Sequence, residues 1–122
     1  MSSHQDSDAQ QALLEQLIIA VSRLARRAEG QIAYLRSLDA GCLADELALE
    51  FDDVRGAVLP QLSAEQRRAV AALEEQLSTM SAADDPGLWT HDALAVSNAW
   101  TRVRALARDA LASLHAEPVV PV

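Results

Sequence analysis

Between residues 14 and 38, apolar side chains return at alternating intervals of three and four. The series is Leu14, Leu17, Val21, Leu24, Ala28, Leu35 and Leu38, with Gln31 the one polar residue in it. That spacing is one face of an α-helix and cannot serve a strand, whose faces alternate every second residue. Leu13, Ile18, Ala25 and Ile32 widen the stripe, so the helix, predicted over 9–38, packs against more than one neighbour. At 1.5 Å per residue it spans about 45 Å. Asp8 is the expected N-cap, and residues 1–8 are expected to form a disordered tail. Gly30 costs about 1 kcal/mol inside such a helix, which suggests a close helix crossing there. Arg23, Arg26 and Arg27 are expected to form a solvated basic patch.

The remaining sequence allows no sheet to oppose this helix. Alanine and leucine supply 24 and 18 residues, whereas there are four aromatics and three isoleucines. The first pair favours helices, and the β-branched and aromatic types that favour strands are scarce. Asp39-Ala40-Gly41 closes the first helix, with Gly41 suited to a left-handed C-terminal cap. A second helix is predicted over 42–59, stopped by Pro60. Ser63-Ala64-Glu65-Gln66 is a capping box that opens a third helix, 63–81, with Val70, Leu73, Leu77 and Met80 as its core stripe. Asp84-Asp85-Pro86-Gly87 marks a loop. Thr90 caps a fourth helix, 91–116, whose core face carries Val96, Ala99, Trp100, Val103, Leu106, Ala107, Ala110, Leu111 and Leu114. The expected fold is therefore all-α: an antiparallel four-helix bundle, one domain over 9–117, followed by an extended tail, 118–122.

The stretch from Asp45 to Asp53 concentrates charge. It holds Asp45, Glu46, Glu50, Asp52 and Asp53 and no basic residue. On a helical wheel Leu43, Leu47, Phe51, Val54 and Val58 share an arc of about 80°, which is the expected core side. Glu46, Glu50 and Asp53 flank that stripe, Asp45 and Asp52 lie further round, and Leu49 sits among the carboxylates. The helix dipole accounts for Asp45 and Glu46 in the first turn, and less well for the other three. Leu49 is either an isolated exposed leucine, the commoner case, or the anchor of a contact surface. As a candidate partner-binding site these residues are Asp45, Glu46, Leu49, Glu50, Asp52 and Asp53.

Catalytic patterns are missing. Di-iron bundles use Glu-x-x-His pairs aimed inward, and none occurs; His4, His91 and His115 are scattered. A single-cation site built from Glu46, Glu50 and Asp53 is a minor alternative, and the expectation is no metal and no cofactor. Cys42 gains acidity if it sits at a helix N-terminus, but no histidine adjoins it in sequence, and free cysteines most often serve as small buried apolar groups. Arg104 and Arg108, one turn apart, have two readings: an anion site, or ion pairs with Glu or Asp of a neighbouring helix, the second favoured. Trp100, four residues before Arg104, invites a cation–π stack, and Trp89 is expected to cover a core edge. The formal net charge of −8 opposes binding to nucleic acid or anionic membranes and is compatible with a basic partner. One cysteine, no signal-peptide pattern and no long apolar run point to the cytoplasm.

The segments Asp45–Asp53, Leu88-Trp89-Thr90 and Trp100-Thr101-Arg102-Val103-Arg104-Ala105-Leu106-Ala107 resemble those of small all-helical proteins of actinobacterial type. The resemblance covers a minor part of the chain and brings no catalytic residue with it. By analogy with immunity proteins and antitoxins, it implies a protein that blocks a basic toxin. The leading expectation is thus a non-enzymatic interaction module that presents the acidic helix face to a basic protein. A self-associating homodimer, burying the excess apolar surface of the first helix, is second. A metal-dependent carboxylate bundle enzyme is a distant third.

Overall fold

The computed structural model describes residues 3–38 and 43–116. Expectations placed on Gly41, Cys42 and residues 118–122 lie outside them. Among the described residues there are six α-helices and no strand: α1 Ser3–Ala25, α2 Ala28–Leu38, α3 Asp45–Val58, α4 Ala64–Ala82, α5 His91–Val96 and α6 Asn98–Ala116. Short 3-10 turns, Leu59–Gln61 and Pro86–Trp89, precede α4 and α5. The chain is an all-α bundle.

Two of the four expected helices are broken, each by a side chain that competes for backbone groups. The first helix begins earlier than expected, at Ser3. Asp8 lies inside it rather than capping it, and residues 3–8 are helical rather than a disordered tail. Asp8 sits near its start, where the helix dipole favours negative charge. It then breaks at Arg26 and Arg27. The freed carbonyls of Arg23 and Leu24 accept hydrogen bonds from Gln31 Nε2 at 3.1 and 3.0 Å, and the Gln31 backbone N–H starts the next helix on Arg27 O. The polar residue in the apolar series is therefore buried and closes the bend. α2 turns away to pack on α5. A Cβ at Gly30 would meet nothing nearer than the Arg26 side chain at 3.7 Å, an ordinary contact, so Gly30 does not mark a close crossing.

The last helix breaks at Ser97, which is extended and whose Oγ accepts from Ala99 N–H at 3.1 Å. Serine in a helix interior offers the backbone this alternative cap. The break shifts the wheel, and Val96, expected in the core, is 80% exposed. The cap signals elsewhere hold. Ser63 and Gln66 form the reciprocal capping box, and Thr90 Oγ1 accepts from Ala93 N–H.

The four long helices carry one core, in which Leu17, Val21, Leu24, Leu47, Phe51, Val58, Val70, Leu73, Trp100, Val103 and Ala107 are buried. Trp100 also donates to Leu88 O at 2.6 Å and meets Trp89 edge to face. Neighbours run antiparallel where side chains tie them. Gln66 near the start of α4 reaches Ser113 O near the end of α6, while Gln76 further along reaches Ala99 O. Gln61, just past α3, reaches Gln10 O in α1, whereas Arg23 near the end of α1 meets Glu50 nearer the start of α3. In packing order the sequence is α4, α6, α1, α3. The remaining pair, α3 and α4, approach each other less closely; the side between them is open at the surface and closed beneath by buried Phe51 and Leu77.

Candidate functional site

The open side is where α3 places part of its acidic stretch. Leu43 precedes the helix and is 48% exposed rather than in the core; Ala44 takes the buried position, its N–H bonded to Trp89 O at 2.9 Å. That bond fixes the start of α3 against the turn before α5. Leu49, 51% exposed, projects into the gap towards α4. A groove of about 410 Å³ has an apolar lining from Leu43, Ala48, Leu49, Pro86 and Trp89, with the carboxylates of Asp45, Asp84 and Asp85 along it. A second groove of about 240 Å³ shares Ala48, Leu49 and Ser81 with the first and continues between the helices. Its floor reaches Phe51 and Leu77, and its charged residues are Asp52 and Glu74. No basic side chain lines either groove among the described residues.

Several of these carboxylates have local tasks. Asp85 accepts from Gly87 N–H at 2.9 Å, Glu74 accepts from Ser78 Oγ at 2.7 Å, and Asp52 pairs with Arg55 at 2.7 Å while remaining exposed. Asp84 stands at φ 52°, the left-handed conformation that ends α4 and that Asp tolerates better than most residues. The carboxylates of Asp45 and Asp84 are exposed and have no hydrogen-bond or ion-pair partner among the described residues, while the Asp84 N–H donates to Ser81 O at 3.2 Å.

The other half of the acidic stretch faces the opposite flank of α3. Glu50 bonds Arg23 of α1 at 3.2 Å and accepts from the Tyr34 hydroxyl of α2. The Arg23 guanidinium lies 4.2 Å from the centre of the Tyr34 ring. Burial pushes the Tyr34 phenol up to about 12, assisted by the hydrogen bond to Glu50 and by the charges of Glu50 and Glu46. Asp53 lines a separate groove of about 410 Å³ with Leu13, Ile19, Arg23, Glu50 and Val54. The six candidate residues thus divide. Asp45, Leu49 and Asp52 face the open side, whereas Glu46, Glu50 and Asp53 lie towards α1 and α2. Glu50 in particular serves to join three helices, and Arg23 is tied to it rather than belonging to a solvated patch.

Arg104 is 9% exposed, and its Nη1 donates to Gln31 Oε1 at 2.9 Å. No carboxylate of the described residues pairs with it, so the favoured expectation of an ion pair is corrected. Burial lowers its pKa from the usual value, and the like charge of Arg108 adds to this. Among the described residues the cation–π contact is Arg23 on Tyr34, not Arg104 on Trp100. Among the described residues no three His, Cys, Asp or Glu side chains gather as metal ligands would, Glu46, Glu50 and Asp53 included. No helix among them is long and apolar enough to cross a membrane.

Asp84, Asp85 and Glu74 were not legible as site residues. They belong to a loop and a helix distant in sequence from α3, and only the tertiary gap brings them to Leu49. No protein-family model, curated protein or solved structure matches this chain.

Proposed function

We propose that this protein is a non-enzymatic interaction module, of an immunity-like or antitoxin-like kind, that binds a basic protein through the open side of its bundle. The observation that supports this reading is Leu49, half exposed between Asp45 and Asp52 and across from Asp84 and Asp85. An apolar side chain in a groove, with carboxylates around it, gives a partner both an anchor and a field. Such charges speed association, and the anchor slows dissociation. Self-association is the second reading: Leu13, Ile18, Ala25 and Ile32 are partly buried against the core of their own chain, which reduces the apolar surface the first helix offers a second copy, while Ile19 is 48% exposed.

The test is co-purification from the native host, followed by kinetics with the recovered partner. Leu49→Ala should weaken binding by about 1–3 kcal/mol, mainly through faster dissociation. Asp45→Asn with Asp52→Asn should slow association and flatten its salt dependence. A partner that binds both variants as tightly as wild type would exclude this reading.

A further inference from the structure

The geometry points to one occupant for the open side: an amphipathic helix of a basic partner, lying between α3 and α4 with its apolar face on Leu49 and its cations towards the carboxylates. This rests on the interaction-module reading and specifies how the partner binds. In a closed four-membered ring of helices every long helix has two neighbours. Here α1 and α6 each pack closely on two, while α3 and α4 each pack closely on one along the sequence α4, α6, α1, α3 and lie farther from each other. What remains between α3 and α4 is a surface furrow above buried Phe51 and Leu77, and the two adjoining grooves follow it from Leu43 and Trp89 to Leu77.

The walls suit a helix for a second reason. The α4 side contributes Ser78 and Ser81, small side chains that let a backbone approach, beside the larger Glu74 and Leu77, and on the α3 side Ala48 is small as well. From Asp45 to Asp52 the α3 wall rises about 10 Å, two turns, which matches apolar anchors spaced at i, i+4 and i+7 on a partner helix. Charge selects the sequence of that helix. The linings contribute Asp45, Asp84, Asp85, Asp52 and Glu74, and no cation among the described residues. Arg55, beside Asp52, offsets part of this charge, and the rest calls for arginine or lysine flanking the apolar stripe.

Two synthetic peptides of roughly 18 residues, about five turns, test the inference. Both contain the same leucines, alanines and arginines. One places the leucines on a single helical face, and the other distributes them around the helix. Binding is read from protein tryptophan fluorescence, since Trp89 lines the groove, and from the gain in peptide helicity by circular dichroism. The amphipathic peptide should bind about tenfold or more tightly than its isomer and become helical. Ser81→Arg, a change at an exposed position that fills the seam and reverses its charge, should weaken that binding by at least about tenfold while leaving the thermal melt intact.

Equal binding of the two peptides, absence of binding, or indifference to Ser81→Arg would each overturn the helix-in-seam inference. None of these touches the module reading, which stands or falls with the co-purified partner. Sedimentation of the protein alone completes the test: a dimer that Ser81→Arg dissociates assigns the seam to a second copy of the chain and overturns the inference as well.

Discussion

The Arg104 guanidinium on α6 donates to the amide oxygen of Gln31 on α2 at 2.9 Å, a buried bond between residues 73 positions apart. The same amide donates its nitrogen to the carbonyls of Arg23 and Leu24 where α1 ends. One side chain thus caps a helix, fixes a bend and satisfies a buried cation.

Gln31→Leu keeps the volume and the apolar register but leaves Arg104 and two carbonyls without partners. The expected loss is about 2–4 kcal/mol, because buried groups deprived of hydrogen bonds carry their desolvation cost. Adding Arg104→Met should recover part of it, so that the double change costs less than the two single changes together. Chemical denaturation of the four proteins measures this. Additive losses would show that the two side chains do not act as a pair.

Tyr34 is the only tyrosine, so its ionisation is readable directly by ultraviolet absorbance. The phenol should titrate near 12 in the folded protein, against about 10 in an unfolded chain. The raised value means that the fold favours the neutral phenol. Its contribution to stability is present in full below about pH 10 and declines as pH rises through about 12. Tyr34→Phe should remove that part of the alkaline slope. A phenol that titrates at the ordinary value in folded protein would contradict the placement of its hydroxyl on Glu50.

Phe51 is 1% exposed and borders the floor of the seam. Phe51→Ala should cost about 3–5 kcal/mol in equilibrium unfolding, the range for a large aromatic removed from a packed core. A near-neutral result would place α3 in a different rotation from the one described.

The fold class was readable because it depends on periodicity, which survives in every segment. The boundaries were not, and the reason lies in two residues. Gln31 and Ser97 both occupy ordinary helical positions in the sequence, and both divert their side chains to backbone groups. Gln31 carried a signal, being the polar member of an apolar series, but its partner Arg104 could not be named without the tertiary structure. Of the acidic stretch, the sequence identified Leu49 as the misfit side chain. It could not show that Glu50 is engaged with Arg23 and Tyr34, or that Asp84 and Asp85 approach from the far side of the gap.

The bend between α1 and α2 is made without proline, and the apolar register continues through it with Gln31 as its one polar member. A straight helix from Ser3 to Leu38 is therefore a competing shape, about 54 Å long. In that shape α2 would leave α5 of its own chain and be free to pack on α5 of another, the route by which hinge segments produce domain-swapped dimers. The bonds from Gln31 to the end of α1 and to Arg104 are made only in the bent form. They make the fold specific as well as stable, holding each α2 within the chain that encodes it.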